Sequence, residues 1–253
     1  MNWASSRHAL ITGGGSGIGA ATARALAAAG ARVSLLGRRR EPLEAVATET
    51  GGRGFPCDLC SPDALAVAYA ESRAAHGPIS LLIVNAGVGD SAPVARTTRE
   101  QWDRIVATNL TAAFDCVREA LPDLSAGEDS RIVFVASVSG LRGVPYAAAY
   151  AASKHGLIGF MRSVALEYVK TSMTVNAVCP AFVDTPMTDE STARISAATG
   201  RSEGEARASL AAMNPNGRFV TPEEVADVIA MLCRPESRSI TGTAIPIDGG
   251  VMA

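Results

Sequence analysis

Short, unbroken apolar runs alternate with longer amphipathic or Ala-rich stretches along this chain, and that alternation constrains the fold more than any other feature. Leu81-Leu82-Ile83-Val84 and Ile132-Val133-Phe134-Val135 are apolar at every position, the pattern of strands covered on both faces. With them, strands are expected at 80–84 and 131–136, and also at 7–12, 32–36, 53–57, 173–178 and 243–247. Helices are expected at 17–29, 40–50, 100–124 and 149–169. Ser61-Pro62-Asp63 pairs an N-cap with a proline at the first helical position, and Thr221-Pro222-Glu223-Glu224 reads as a capping box. Strict strand–helix alternation implies a parallel sheet with helices on both faces. The expected fold class is therefore α/β, a single-domain doubly wound parallel sheet spanning residues 1–253. At 253 residues, 47% apolar and 19% charged, the chain can bury a core of that size.

One stretch breaks the rhythm. Residues 184–218 are polar and rich in Thr, Ser, Ala and Gly, with weak helical segments at 187–198 and 202–213. So long an excursion after a strand's carboxyl end reads as a substrate lid, with a surface excursion or an oligomer contact as the alternatives.

Charge and cysteine content narrow the function classes. A net charge of −2 and a pI near 6.0 give no footprint for nucleic acid. No apolar run approaches the roughly 20 residues of a membrane helix, so no membrane partner is expected. Met1 to Arg7 reaches the first strand too quickly for a signal peptide. Five cysteines, an odd number scattered over predicted strands and helices, suggest reduced thiols and a cytoplasmic address. Cys57 and Cys60 have C-x-x-C spacing, but without a second Cys or His pair nearby they read as a strand end and turn rather than a metal site. No metal is expected.

Two constellations carry chemistry. Thr12-Gly13-Gly14-Gly15-Ser16-Gly17-Ile18-Gly19 lies between an apolar strand and an Ala-rich helix. Gly13 allows the tight turn, Gly17 lets backbone approach a pyrophosphate, and Gly19 lets the helix pack close to the sheet. The helix N-terminus adds free N–H groups and partial positive charge for phosphate. Further on, Ser137 ends an apolar strand and Tyr150 precedes Lys154 by one helical turn. A free phenol, with a pKa near 10, is a poor proton shuttle at neutral pH. The Lys154 charge, with an oxidised nicotinamide nearby, is expected to stabilise phenolate and lower that pKa. Tyr150 can then exchange a proton with a carbonyl or alcohol oxygen while Ser137 hydrogen-bonds the same oxygen. A cofactor site with a proton relay points to a dehydrogenase.

These residues, with Asn85-Ala86-Gly87, Asn109, Pro180 and Asp248-Gly249-Gly250 in register, resemble the short-chain dehydrogenase/reductase family over nearly the whole chain. Ala181 departs from the glycine usual in the family after the proline. The resemblance implies a Rossmann-like fold and a nicotinamide cofactor. It also implies that Lys154 holds the nicotinamide ribose and that Asn109, through a water, extends a relay from Lys154 to solvent. By the same resemblance Asp58, beside Leu59, accepts from the adenine amino group, although a plain turn residue is the alternative there. Asn85, Ala86 and Gly87 flank the adenine ribose and brace the sheet. Pro180, Ala181, the Val183 backbone and the Thr185 hydroxyl hold the nicotinamide end.

The second strand ends at Gly37, followed by Arg38-Arg39-Arg40, with no acidic residue before Glu41. An acid there would bind a ribose 2′-hydroxyl, whereas Arg38 with Arg39 suits a 2′-phosphate. NADP(H) is the expected cofactor, with NAD(H) as the alternative. The substrate pocket is expected among Val88, Gly89, Val138, Ser139, Leu141, Val144, Tyr146 and Phe182. The family's 3-hydroxybutyrate dehydrogenases clamp a carboxylate with polar residues at positions that here are Gly89, Ser139 and Ala147, so a 3-oxoacyl thioester or hydrophobic ketone is expected instead. An NAD-dependent alcohol or dihydrodiol dehydrogenase, and a non-catalytic dinucleotide-binding regulator, are the other classes. Resemblance further implies a homotetramer through the helices at 100–124 and 149–169 and the last strand, with Ala112-Ala113 and Ala147–Ala152 allowing close contact.

Overall fold

The computed structural model describes residues 2–253 and contains one seven-stranded parallel sheet in the order β3-β2-β1-β4-β5-β6-β7. The strands are β1 (His8–Thr12), β2 (Arg32–Gly37), β3 (Arg53–Pro56), β4 (Leu81–Val84), β5 (Arg131–Val135), β6 (Thr174–Pro180) and β7 (Ala244–Ile247). The helices are α1 (Gly17–Ala28), α2 (Arg40–Thr50), α3 (Pro62–His76), α4 (Arg99–Val106), α5 (Ala112–Ala126), α6 (Ala148–Glu167), α7 (Pro186–Thr199), α8 (Glu203–Ala211) and α9 (Pro222–Cys233).

The all-apolar strands divide their side chains between two cores. Leu81 and Ile83 join Val133, Val135 and Val178 under α1, α2 and α9, while Leu82 and Val84 join Ile132, Phe134 and Ala177 under α3, α5 and α6. That is the period-two alternation of a strand with helices on each side. The expected caps form: Ser61 accepts from the Ala64 N–H at 3.4 Å, and Thr221 and Glu224 close a reciprocal capping box.

Strand order reverses between β1 and β4, which opens a crevice at their carboxyl ends. The Gly-rich turn leaves β1 there and Asn85 leaves β4 there.

Three sequence expectations are corrected. The helix at 100–124 is two helices, α4 and α5, joined by a π turn at Ala107–Thr111; such an inserted residue commonly re-aims a side chain at a functional site. Strand β6 continues to Pro180, past the expected end at 178, because it pairs with β7 up to Pro180–Ile247. Ala112 and Ala113 are 2% and 4% exposed and pack into the chain's own core, so they leave no surface for a neighbouring subunit.

The excursion after β6 is helical: α7 and α8 pack on each other, clipped by Arg207, which pairs with Asp189 at 2.6 Å and with Asp184 and lies over the Phe219 ring. No described helix is long and apolar enough to cross a membrane. All five cysteines are free.

Candidate active site

The Gly-rich turn is braced from β4. Asn85 donates from Nδ2 to the Thr12 carbonyl at 2.9 Å and to the Gly13 carbonyl at 3.2 Å. The Thr12 hydroxyl accepts from the N–H groups of Asn85 and Ala86. Gly13 turns the chain at φ +66. A Cβ on Gly19 would strike the Gly13 carbonyl oxygen and come within 2.6 Å of Asn85 Nδ2, so only glycine lets α1 start this close to the strand. Ser16 is the N-cap of α1 without a side-chain bond of its own, and Ile18 packs on the core.

Ser137, Tyr150 and Lys154 meet at the carboxyl end of β5. Tyr150 and Lys154 sit one turn apart on α6, with the Lys154 Nζ 5.6 Å from the centre of the Tyr150 ring. Lys154 is 4% exposed and donates to the Val135 carbonyl at 2.9 Å. The Ser137 hydroxyl lies against the Tyr150 phenol and accepts from the Ser139 N–H at 3.1 Å. Burial raises the Tyr150 pKa, and the Ser137 contact only partly opposes this. Burial also pushes Lys154 down to about 8. In the protein alone Tyr150 therefore keeps its proton at neutral pH.

Asn109 is buried in the π turn with its amide fully engaged. It accepts from the Val88 N–H at 2.8 Å and donates to the Val88 carbonyl at 3.0 Å and to Ser153 Oγ at 3.1 Å. Ser153 in turn donates to the Tyr150 carbonyl at 2.7 Å. The Asn109 side chain therefore ties the segment after β4 to the catalytic helix. A Cβ on Gly87 would lie 3.2 Å from Asn109 Oδ1 and 3.6 Å from Lys154 Nζ, which brings all three together.

The remaining expected residues divide. Asp58 is exposed, with Oδ1 accepting from the Cys60 N–H at 3.0 Å. Leu59 is buried, with its side chain in the core. Arg40 pairs with Glu44, while Arg38 and Arg39 are exposed and enter no ion pair among the described residues. Ala181 donates its N–H to the Ile247 carbonyl just beyond Pro180. Thr185 caps α7 and approaches the turn: its Cγ2 is 3.0 Å from where a Cβ on Gly17 would lie. Val183 is buried, its carbonyl accepts from the Thr188 hydroxyl, and no described group accepts from its N–H. Val138 and Ser139 are 8% exposed each and offer little surface to a ligand. Leu141 is half-buried and packs against the α3, α5 and α6 core. Val144 is half-buried, and Tyr146 is exposed at φ +65 with its carbonyl accepting from the Ala92 N–H at 2.8 Å.

Two residues escaped sequence reasoning. Met187 of α7 places its sulfur 3.4 Å from where a Cβ on Gly89 would lie, so the root of the lid overhangs the segment after β4. Asn214, fully buried, accepts from the Phe182 N–H at 3.3 Å and donates to the carbonyls of Phe182 (3.0 Å) and Arg218 (2.7 Å), clasping the two ends of the lid. Pro186, which starts α7, was a local signal for the first; nothing local marked the second.

A family model described as enoyl-(acyl carrier protein) reductase matches residues 13–252. The chain is a short-chain dehydrogenase/reductase. The enzyme is 36% identical to the 3-oxoacyl-[acyl-carrier-protein] reductase MabA of Mycobacterium tuberculosis over 97% of its own length and 93% of that protein. It is 34% identical to the D-beta-hydroxybutyrate dehydrogenase of Rhizobium meliloti, over 96% of the enzyme and 98% of the relative. A crystal structure of an actinorhodin polyketide ketoreductase variant with NADPH superposes with a TM-score of 0.93 at 36% identity, covering 97% of each chain. The enzyme is thus an oxidoreductase with the single Rossmann-like sheet that its sequence pattern implied.

Proposed function

We propose that this enzyme is an NADPH-dependent ketoreductase acting on 3-oxoacyl substrates. The observation that carries the reading is the Ser137–Tyr150–Lys154 cluster, in which the phenol holds its proton beside a serine hydroxyl at the open end of the sheet. The printed names of MabA and of the NADPH-bound ketoreductase support the substrate and cofactor classes.

The residues fit a dinucleotide. Any side chain at Gly17 would fill the gap between the turn and Thr185. The free N–H groups at the start of α1 suit a pyrophosphate, Arg38 and Arg39 are free for a 2′-phosphate, and the buried, unshared Val183 N–H suits a carboxamide. Asp58, the Leu59 backbone and Asn85 to Gly87 border the adenine end. NADPH, when bound, supplies the hydride for the substrate carbonyl carbon.

The chain's own residues manage the proton. Tyr150 donates its phenolic proton to the carbonyl oxygen as that oxygen gains charge, and Ser137 donates a hydrogen bond to the same oxygen. Lys154 places its charge under Tyr150, favours the phenolate left behind, and holds the nicotinamide ribose. Asn109 fixes the segment that carries Val88 against the catalytic helix. The helices α7 and α8 act as a lid whose root, Thr185 to Met187, spans from Gly17 to Gly89, with Phe182, Val144 and Tyr146 on the approach.

The assembly we infer is a homotetramer. Its contacts would be the large apolar groups Trp102, Phe114 and Leu166, 40%, 45% and 73% exposed on α4, α5 and α6, with the exposed part of the Ala147–Ala152 run and the half-exposed edge strand β7.

The test is Tyr150→Phe. NADPH oxidation with acetoacetyl-CoA should fall at least about 10³-fold, while NADPH affinity by nicotinamide fluorescence stays within a few fold. Turnover surviving at a tenth of the wild-type rate would remove Tyr150 as the acid.

A further inference from the structure

Three residues of α7, Met187, Ser191 and Arg194, lie on one stripe of the helix at three- and four-residue spacing. Its inner end is placed by contact, since Met187 overhangs Gly89 at the site's mouth. From there the Ser191 hydroxyl donates to the Met187 carbonyl at 2.9 Å and accepts from Arg194 Nη2 at 3.0 Å. A hydrogen-bonded row thus leads from the substrate segment along the lid to a guanidinium.

That guanidinium is incompletely satisfied. Arg194 is half-buried, its Nε is buried without a partner, and it enters no ion pair among the described residues. The neighbouring arginines are committed elsewhere, Arg207 to Asp184 and Asp189, and Arg218 to Glu224 at 2.6 Å. A buried N–H without an acceptor is costly, and the planar fork of arginine matches phosphate or carboxylate oxygens. Nearer the reacting carbonyl, Gly89, Ser139 and Ala147 supply no cation.

Building on the 3-oxoacyl reading, we propose that Arg194 is a substrate-binding residue of the lid that holds an anionic oxygen group carried by the substrate away from its reacting carbonyl. Two sources share this chemistry: a phosphate on the arm of an acyl thioester, and the carboxylate of a free oxo acid. Either group would meet the guanidinium at its Nη atoms, and Nε, sealed from the surface as the helix stands, would join the contact only if α7 shifts. The residue would then select among ketones by remote charge, leaving the transfer step to Ser137, Tyr150 and Lys154.

The experiment compares wild type, Arg194→Gln and Arg194→Lys in steady-state NADPH oxidation with acetoacetyl-CoA, with its neutral N-acetylcysteamine thioester, with acetoacetate and with a plain cyclic ketone. The expected result is a KM for acetoacetyl-CoA raised about ten-fold in Arg194→Gln, as loss of one charge-assisted contact implies. The rate at saturation stays within about two-fold, the lysine variant recovers part of the loss, and the neutral thioester is unaffected in KM. The same pattern on acetoacetate in place of acetoacetyl-CoA assigns the carboxylate as the source. Equal losses on the charged and neutral thioesters, or no loss on any substrate, overturn the proposal. A wild type that reduces the cyclic ketone but none of the acyl compounds removes the 3-oxoacyl reading and the proposal with it.

Discussion

Replacing Lys154 by methionine should make the protein more stable at neutral pH while disabling it. Lys154 is buried without a carboxylate partner, and burial moves its pKa from the usual 10.5 to about 8. At 1.36 kcal/mol per pH unit, that displacement means about 3 kcal/mol spent on keeping the charge inside at pH 7. Methionine removes this cost and nearly conserves volume, but it strips the Val135 carbonyl of its donor, a loss of about 1–2 kcal/mol. The expected net gain at pH 7 is about 1–2 kcal/mol, read as a higher urea midpoint with unchanged slope. Its pH dependence is the sharper signature. The folded pKa lies below the unfolded one, so between pH 8 and 10.5 the unfolded chain holds a proton that the folded chain has released. Wild-type stability therefore rises with pH across that window through this residue, and the mutant's advantage should shrink by about 2 kcal/mol between pH 7 and 9.5. A mutant less stable than wild type at pH 7, or a stability difference that does not change with pH, would refute the reasoning.

Four further outcomes are expected. Ser137→Ala should cost about 10²-fold in kcat, since one preorganised donor to the developing oxyanion is lost, with NADPH affinity by fluorescence titration unchanged. In the direction of ketone reduction, kcat/KM should be flat near neutrality and fall as pH rises past about 8, where Lys154 loses its charge, while the raised Tyr150 keeps its proton; a profile that rises through pH 8 would contradict this. Asn214→Leu leaves the Phe182 N–H without its acceptor and takes one donor each from the carbonyls of Phe182, which keeps the Val220 N–H, and Arg218, and calorimetry should show a destabilisation of about 1–3 kcal/mol, with a raised ketone KM. His8 is buried between the Gly77 carbonyl and the Ser34 hydroxyl, with its pKa lowered to about 4. Because the unfolded chain takes the proton first, His8 should drain stability as pH falls from about 6.5 to 4, and acid titration of His8→Gln should lack that limb.

Much of the fold was legible because burial on both faces writes itself into the strands. Leu81 to Val84 can be apolar throughout only where helices cover each side, and the capping pairs at Ser61 and Thr221 mark helix starts within a residue of where they form. The Gly-rich turn and the Tyr150–Lys154 spacing were equally local signals. What stayed hidden depends on long-range partners. The π turn around Asn109 answers to the Val88 backbone and Ser153, and the Asn214 clasp depends on a segment 32 residues away. Ala112 and Ala113 looked like a subunit contact because small residues allow close approach from either side, and only the third dimension shows that side to be the chain's own core. The charge on Lys154 was read from spacing, but its desolvation comes from the whole surrounding shell.

That desolvation links stability to the chemistry. Burial acts on Tyr150 and Lys154 in opposite senses, raising the acid and lowering the base, so that both groups are held toward their neutral forms. A phenol still protonated at neutral pH is in the form that carbonyl reduction consumes, but its raised pKa makes it a weaker acid, so the transfer depends on the Lys154 charge to favour the phenolate left behind. Alcohol oxidation would begin from phenolate, and phenolate needs more positive charge around it than this chain supplies alone. Its most direct source is Lys154, which stands close enough to act but is itself weakened by the same dry surroundings. How readily that phenolate forms therefore depends on how far the site excludes water, and the lid rooted at Thr185 to Met187 is placed to bear on that.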